Sequence, residues 1–227
     1  AFFAKAPRPS ANGVAVASTS GGAAIMAADE AELRGVELPQ PAAETREVLV
    51  KSIPEFGSAR NPCDITAQVL SDPASFRACA EALLADPAYT ALVVPFVFAY
   101  DTATPRIGVL DELARQHGKM SCIVWLPQWI EGPGSAVAEK ADRVALFRSM
   151  RSCFAALSSW QKWTQGLADR RASPAPVVSR EAAQQVRDTI DACLADVLTE
   201  GQAKALLSAY GIPMVADGLV GSADEAV

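Results

Sequence analysis

The sequence has 227 residues, of which 50% are hydrophobic and 20% are charged. This composition supports a globular core and argues against wholesale disorder. The 20 basic and 26 acidic side chains give a net charge of −6. Such an acidic balance argues against a nucleic-acid surface or an anionic-membrane surface, because both need a basic face.

Neither a membrane helix nor a signal peptide is predicted from the sequence, because no apolar run approaches the roughly 18 residues that a membrane helix needs. The cysteines show no CxxC or metal-ligand spacing, and this pattern is typical of buried thiols in a reducing compartment. They are Cys63, Cys79, Cys122, Cys153 and Cys193. We therefore expect a cytoplasmic protein without a metal site in this segment.

Predicted strands and helices alternate through most of the chain. Residues 1–12 are predicted to be the tail of a preceding element and a linker. Strands are predicted at 14–18, 91–98, 121–126 and 144–147, and helices at 20–35, 42–51, 72 onward, 104–118 and 149–167. Residues 54–66 have no regular pattern and are predicted to form a long loop. Alternating strands and helices predict a doubly wound parallel α/β sheet over residues 13–167.

The composition changes after this domain. Residues 168–178 are rich in Pro, Ala and charge and are predicted to be a linker, followed by an amphipathic helix at 179–197. Thr199 and Gln202 have the spacing of a capping box. Residues 212–220 are predicted to be extended, and another helix is predicted near Ser222. Residues 198–227 thus begin a further domain, and we expect the chain to be a segment of a longer polypeptide.

The best chemical feature is the turn Ser18-Thr19-Ser20-Gly21-Gly22, between the first strand and the first long helix. Backbone N–H groups at a helix N-terminus point outward, and the helix dipole adds about half a positive charge there. The glycines allow an anion to approach, and the three hydroxyls can donate hydrogen bonds. The turn therefore predicts a phosphate or carboxylate site, although small residues are also what a tight strand-to-helix turn requires. The dinucleotide fingerprint and the P-loop motif are both absent.

A second feature closes the long loop. Asn61 is held extended by Pro62, and Asp64 and Thr66 can bond to neighbouring backbone groups and make the loop rigid. A purely structural turn is the alternative for at least one of these residues.

The remaining reactive side chains are interpreted as structural. His117, the single histidine, lies at the end of a predicted helix with no partner nearby. Cys63 has Arg60 nearby but no activating base, and such a thiol is usually inert. The four tryptophans are predicted to be core and interface residues.

Three stretches, in order, resemble one family. VAVASTSGGAAIMAADEAELRG is similar to the strand, glycine turn and helix that open the flavodoxin-like domain of the NDP-forming acyl-CoA synthetases, the superfamily of acetate–CoA ligase and succinyl-CoA synthetase. RNPCDITA resembles the Asn-Pro-x-Asp loop of that domain. LTEGQAKALLSAYGIPMVADGLVGSADEAV resembles the opening of the ATP-grasp domain that follows it in single-chain members. The resemblance covers nearly the whole chain and is weakest over residues 130–169.

The resemblance implies a flavodoxin-like, succinyl-CoA synthetase-like domain followed by the start of an ATP-grasp domain. The family makes acyl-CoA from a carboxylic acid, CoA and ATP or GTP, with Mg²⁺, through an acyl phosphate and a phosphohistidine. Two helix N-termini clamp the phosphohistidine. By resemblance, Ser18, Thr19, Ser20, Gly21 and Gly22 form one half of this clamp.

The same resemblance places Asn61, Asp64 and Thr66 in the supporting loop. The family's phosphohistidine lies in the preceding domain, upstream of Ala1, and His117 does not match it. CoA and nucleotide are bound mainly by other domains. The partners implied are therefore the CoA-binding, phosphohistidine and ATP-grasp domains of the same polypeptide, in a homo-oligomer.

Two alternatives remain. Some protein acetyltransferases carry a synthetase-like region of this kind as a non-catalytic sensor or scaffold. An unrelated flavodoxin-like flavin binder would share the fold and would carry a yellow cofactor. Residues 96–104 fit the synthetase pattern only loosely, so the sequence leaves the acid undefined.

Overall fold

The computed structural model describes residues 2–99, 101, 103–172, 179–193, 197–215, 218 and 220–226. The chain divides into two units, Ala1–Arg170 and Arg171–Val227, which are described separately.

Five parallel strands form the sheet of the first unit. They are β1 (Gly13–Ser18), β2 (Cys63–Asp64), β3 (Tyr89–Phe96), β4 (Met120–Trp125) and β5 (Val144–Phe147). Their order in the sheet is β2-β1-β3-β4-β5, and each neighbouring pair is parallel. This is the order of flavodoxin-like doubly wound sheets, in which the winding direction changes between β1 and β3. The predicted fold class is confirmed.

Among the described residues, seven helices begin in the first unit and two lie in the second. They are α1 (Phe2–Lys5), α2 (Gly21–Arg34), α3 (Ala43–Ser52), α4 (Pro73–Ala85), α5 (Ala103–Gln116), α6 (Ser135–Lys140), α7 (Met150–Ala172), α8 (Arg180–Asp191) and α9 (Glu200–Ala209). Two short 3-10 turns occupy Ala67–Leu70 and Ala223–Ala226.

Helices cover both faces of the sheet because successive side chains of a strand point to opposite sides. On β1, Ala15 and Ala17 pack in the cluster that contains apolar residues of α3, α4, α5 and α6. Val14 and Val16 pack in the other cluster, with residues of α1, α2 and α7. All residues of β1, β3 and β4 are buried, as expected for central parallel strands.

Helix α1 is part of the first unit's core. Its Phe2 is buried, and its ring packs 5.5 Å from the Trp160 ring and 5.8 Å from the Phe147 ring, measured between centroids. Lys5 Nζ donates hydrogen bonds to two backbone carbonyls, those of Glu139 and Val144. The segment predicted to be a tail and linker therefore packs against β5 and α7.

Several helix ends that capping residues mark in the sequence are observed in the structure. Ser20 caps α2, and Gly35 ends it with a φ of 65° in the left-handed region, where glycine is favoured. Asp72 accepts hydrogen bonds from two amides of the first turn of α4, and Pro73 is the first helical residue. The predicted capping box of Thr199 and Gln202 is present at the start of α9.

Several elements differ from the sequence prediction. The long loop contains the two-residue strand β2, and α6 was not predicted. Helix α7 continues to Ala172, into the predicted linker, whose residues 173–178 lie outside the described part. Helix α8 ends at Asp191 rather than near residue 197. Residues 194–196 also lie outside the described part of the chain.

In the second unit, the described residues of the 212–220 segment form no strand, although this segment was predicted to be extended. The helix predicted near Ser222 is a single 3-10 turn. Among the helices that the structure describes, none has the length and apolarity to cross a membrane.

Candidate functional site

The candidate site is the turn Ser18–Gly22, at the carboxyl end of β1. In open α/β sheets, ligands bind outside the carboxyl ends of the strands, where the winding direction changes. Strand β1 borders this position, since its neighbours are β2 and β3. The fold therefore places the turn where such proteins bind ligands.

Two serines hold the turn in shape. The Ser20 amide donates to Ser18 Oγ over 3.1 Å, and the Ser18 hydroxyl donates to the Ser20 carbonyl over 2.8 Å. Ser20 Oγ in turn accepts a hydrogen bond of 3.4 Å from the Ala23 amide, as a helix N-cap does. Ser18 is fully buried. Its hydroxyl is therefore used within the protein, in contrast to the expectation that three hydroxyls face a guest.

The backbone amides of Gly21 and Gly22 are free, whereas those of Ser20 and Ala23 donate hydrogen bonds within the turn. Within the described part of the chain, the N–H groups of Gly21 and Gly22 donate to no acceptor, and both residues are exposed. They are the first two residues of a helix of 14 residues. The turn thus presents two free donors at the positive end of the α2 dipole, beside the half-buried Thr19.

A carboxylate forms one wall of this site. A Cβ atom placed on Gly21 would lie 3.4 Å from Asp64 Oδ2. Asp64 Oδ1 accepts a hydrogen bond of 3.0 Å from the Thr66 amide, whereas Oδ2 has no hydrogen-bond partner among the described residues. The structure therefore brings Asp64 and Gly21 together, although 43 positions separate them in the sequence.

Asn61 is buried and fully bonded. Its Oδ1 accepts a hydrogen bond from the Val16 amide over 2.9 Å, and its Nδ2 donates to the carbonyls of Val14 and Pro39 over 2.8 and 2.9 Å. The Asn61–Pro62 peptide bond is cis. The Asn61 carboxamide thus makes the hydrogen bonds to β1 that the backbone of a neighbouring strand would otherwise make. It stabilises the strand that leads into the turn, but its polar atoms are not available to a ligand.

Gln40 is a further supporting residue, which was not predicted from the sequence. Its Nε2 donates to the Asn61 carbonyl over 2.9 Å, and its Oε1 accepts from the Asn61 amide over 3.2 Å. Nothing in the local sequence around Gln40 indicates this pairing, because the two residues meet only in the folded chain.

Thr66 has an unusual backbone conformation, with φ 61° and ψ 162°. A β-branched residue rarely adopts a positive φ, and such a conformation costs on the order of 1–3 kcal/mol. Thr66 Oγ1 accepts a hydrogen bond from the Gln68 amide, which caps the 3-10 turn that follows. The loop after β2 therefore holds a strained residue next to the Asp64 wall.

The other reactive side chains lie outside the candidate site or are inert. Burial raises the pKa of the Cys63 thiol to about 12, helped by Cys79 and by the Asp64 carboxylate, so it is not a nucleophile at neutral pH. His117 follows the end of α5, three residues before β4 begins. It therefore lies at the amino edge of the sheet, opposite the glycine turn. Trp125 and Trp160 are core residues, whereas Trp129 and Trp163 are half exposed.

The site has the donors for an anion but not the ligands for a metal ion. Among the described residues, no group of three or more His, Cys, Asp or Glu side chains could hold a metal ion. The described residues of the turn offer backbone N–H groups and the hydroxyls of Thr19 and Ser20, with Asp64 as the single carboxylate. These groups suit a small anion such as a phosphate or a carboxylate.

Comparisons with known proteins support the resemblance seen in the sequence. No protein-family model matches the chain. Among curated proteins, the Acetate--CoA ligase [ADP-forming] I subunit alpha of Pyrococcus furiosus is 24% identical over 161 residues, which cover 70% of this chain and 34% of that protein. The chain thus spans about a third of the length of the curated relative that it matches.

Solved structures share the fold at low sequence identity. PH0766 from Pyrococcus horikoshii OT3 matches with a TM-score of 0.64 and 21% identity, over 72% of this chain and 38% of that chain. The dinucleotide forming acetyl-coenzyme A synthetase 1 of Ca. Korarchaeum cryptofilum, in its apo form, matches with a TM-score of 0.60 and 20% identity, over 75% of this chain and 38% of the other. The predicted resemblance to the acetate–CoA ligase and acyl-CoA synthetase family is therefore confirmed over about 70% of the chain, and the solved structures share its fold.

Proposed function

We propose that this chain is part of an NDP-forming acyl-CoA synthetase, in which the first unit holds one side of a phosphohistidine. The whole enzyme makes acyl-CoA from a carboxylic acid, CoA and ATP or GTP, through an acyl phosphate and a phosphohistidine. The N-terminus of α2 receives the phosphoryl group, and the histidine that carries it belongs to another domain of the same polypeptide.

The free amides of Gly21 and Gly22 are the observation that carries this proposal. A phosphoryl dianion accepts hydrogen bonds from free N–H groups, and the positive end of a helix dipole stabilises it further. The Cβ-free residues leave room for its oxygens to approach the backbone. This binding is non-covalent, so the phosphoryl group can leave again for the next step.

We propose that Asp64 contacts the imidazole ring of the phosphohistidine and orients it, and that it does not contact the phosphoryl group. A carboxylate next to a dianion is repulsive, and therefore the phosphoryl oxygens should lie on the Gly22 side of the turn. Asp64 Oδ2, which has no partner in the described part of the chain, can accept the hydrogen bond of the imidazole N–H. A carboxylate that holds the second nitrogen fixes the tautomer and the ring orientation of a histidine.

The relatives support the ligase assignment at the level of the whole protein. The curated relative is an acetate–CoA ligase subunit, and the Korarchaeum synthetase has also been solved in complex with phosphate and ADP, with a TM-score of 0.60 over 75% of this chain. We place the binding of CoA, nucleotide and Mg²⁺ mainly in other domains, and residues 198–227 at the opening of the ATP-grasp domain. The 227-residue chain alone should then be inactive.

Gly21→Asp in the full-length protein tests the proposal. Its carboxylate would add a second negative charge at the turn, against the phosphoryl group, and we expect acyl-CoA formation and histidine phosphorylation both to fall by at least about 100-fold. Gly108→Asp on α5 is the matched control, because a Cβ at Gly108 meets no atom within 4 Å and the charge change is the same. This control should keep near wild-type turnover.

Two results would contradict the proposal. Turnover of Gly21→Asp close to that of the wild type would mean that the clamp lies elsewhere. A wild-type full-length protein that forms no acyl-CoA with any of a panel of acids, and that carries an acetyltransferase domain, would favour the sensor or scaffold alternative.

A further inference from the structure

An aromatic cleft lies between the segment that follows α1 and the middle of α7. Its volume is about 540 Å³, and Phe3, Pro7, Arg8, Trp160 and Trp163 are among the residues that line it. Sites for small molecules usually measure roughly 300–1,000 Å³ and have mostly apolar walls with a few polar groups. This cleft, called the Trp163 cleft below, has that size and composition.

One wall of the Trp163 cleft is held in place by the core. Trp160 Nε1 donates a hydrogen bond of 2.9 Å to the Pro7 carbonyl. The Trp160 ring also packs edge to face on the buried Phe2 ring, with centroids 5.5 Å apart. This wall is therefore formed before any ligand binds, which lowers the entropy cost of binding.

Two aromatic side chains of the cleft remain exposed to solvent. Phe3 is 60% exposed and Trp163 is 52% exposed. Large apolar side chains that lie together at a surface mark interaction sites. Aromatic rings pack favourably against other flat rings, stacked with an offset or edge to face, so the exposed pair favours a flat apolar ligand.

Arg8 supplies the charge of the cleft. Its guanidinium makes no ion pair and no hydrogen bond with any residue in the described ranges, and the residues lining the cleft include no acidic side chain. A guanidinium binds a carboxylate through two parallel hydrogen bonds. Charge complementarity therefore favours an anionic ligand over a neutral one.

The Trp163 cleft is separate from the candidate site. Gln161 Nε2, next to the cleft, donates to the Asn12 carbonyl over 2.7 Å, and Asn12 directly precedes β1. The cleft thus lies toward the amino end of β1, whereas the glycine turn follows its carboxyl end.

We propose that the Trp163 cleft binds a flat apolar carboxylate, of the aryl or indolyl acid type. The ring packs against Phe3 and Trp163, and the carboxylate pairs with Arg8. The proposal is independent of the proposed function, because it uses none of the residues of the glycine turn.

Calorimetric titration of the 227-residue protein with indole-3-propionate tests this proposal, and indole-3-propionamide serves as the neutral probe. The acid should bind saturably and about fivefold more tightly than the amide, because only the acid pairs with Arg8. Arg8→Gln should remove this preference. Trp163→Ala should raise the dissociation constant of the acid by about tenfold. Trp129→Ala is the control, because it removes a tryptophan that is 62% exposed elsewhere on the same unit. It should leave the dissociation constant within about twofold of the wild-type value.

Three outcomes would overturn the proposal. They are no saturable binding of the acid to the wild-type protein, equal binding of acid and amide, and unchanged affinity in Trp163→Ala. Sedimentation velocity adds a further check. If the wild-type protein dimerises, Trp163→Ala is monomeric and the acid does not bind, then a second copy of the chain occupies the cleft instead of an acid.

Discussion

Asp64 Oδ2 lies 3.4 Å from the position that a Cβ on Gly21 would occupy, at the first residue of α2. This proximity joins the end of β2 to the turn after β1, because Ser18 and Asp64 are partners in the parallel ladder of the two strands. The end of the helix that offers free N–H groups is therefore also the place where a carboxylate stands. An anion that binds here must share the site with Asp64, which restricts both its position and its hydrogen-bonding partners.

We expect Gly21→Ala and Gly22→Ala to keep or raise the stability of the fold. A Cβ at Gly21 would make an ordinary contact at 3.4 Å, and a Cβ at Gly22 would lie 3.9 Å from Ser20 Oγ. Neither glycine has a positive φ, so alanine fits the backbone and reduces the entropy of the unfolded chain. Urea unfolding should show a gain of about 0.4–1 kcal/mol for each variant.

The same two variants should weaken the proposed clamp in the full-length protein. The added methyl group hinders the phosphoryl oxygens from approaching the Gly21 and Gly22 amides, so turnover should fall while stability does not. Gly13→Ala is the contrasting variant. Its Cβ would lie only 2.3 Å from the Ala88 carbonyl oxygen, and the fold itself should be destabilised. A clear loss of stability in Gly21→Ala would contradict the backbone geometry described above.

Asn61→Ala should strongly destabilise the first unit. The carboxamide satisfies the Val16 amide and the Val14 carbonyl, and buried polar groups that lose their partners cost about 1–3 kcal/mol each. We expect a loss of about 2–4 kcal/mol in the free energy of unfolding, measured by urea denaturation. Asn12→Ala, at an exposed position before β1, is the control and should change it by less than about 0.5 kcal/mol. Equal effects of the two variants would contradict the supporting role of Asn61.

The sequence predicted the elements whose signals are local. Buried apolar runs marked the four longer strands, and Ser20, Gly35, Asp72 and Pro73 marked helix ends through capping chemistry that acts within one turn. Strand β2 was missed because two residues carry no alternation pattern, and its pairing depends on β1. Helix α6 was missed because only six residues form it, after Gly134, whose φ is 93°.

The candidate site could be predicted only in part for the same reason. Its glycines and its cap are local, so they were found in the sequence. Two features depend on contacts between distant segments: the position of Asp64 beside Gly21 and the pairing of Gln40 with Asn61. No pattern within a window of a few residues reports such contacts.

Thr66→Gly should show that strain and capping oppose each other. Glycine adopts a φ of 61° without the cost that a β-branched residue bears, but it lacks the Oγ1 that accepts from the Gln68 amide. We expect a change within about 1 kcal/mol in the free energy of unfolding. Thr66→Val keeps the strain and loses the cap, so it should lose about 1–2 kcal/mol. Measured by urea unfolding, a valine variant as stable as the glycine variant would show that Thr66 is not strained.

Alkaline pH should destabilise the first unit through its buried thiols. Burial raises the pKa of Cys63 to about 12 and that of Cys79 to about 11, whereas a thiol in the unfolded chain titrates near about 8.5–9. The folded state then holds these protons more tightly than the unfolded state. Their stabilising contribution is complete below about pH 8 and is lost as the pH rises toward the folded pKa values.

Urea unfolding at pH 8 and pH 10, under reducing conditions, measures this effect. Between these two values, Cys63 alone should account for a loss of about 1–2 kcal/mol. Cys63→Ala is less stable at pH 8 because it leaves a small cavity, but its stability should depend less on pH than that of the wild type. Ile65→Val, a cavity-forming change in the same cluster without an ionisable group, should keep the wild-type pH dependence. If Cys63→Ala lost stability as steeply as the wild type, ionisation of that thiol would not be the cause.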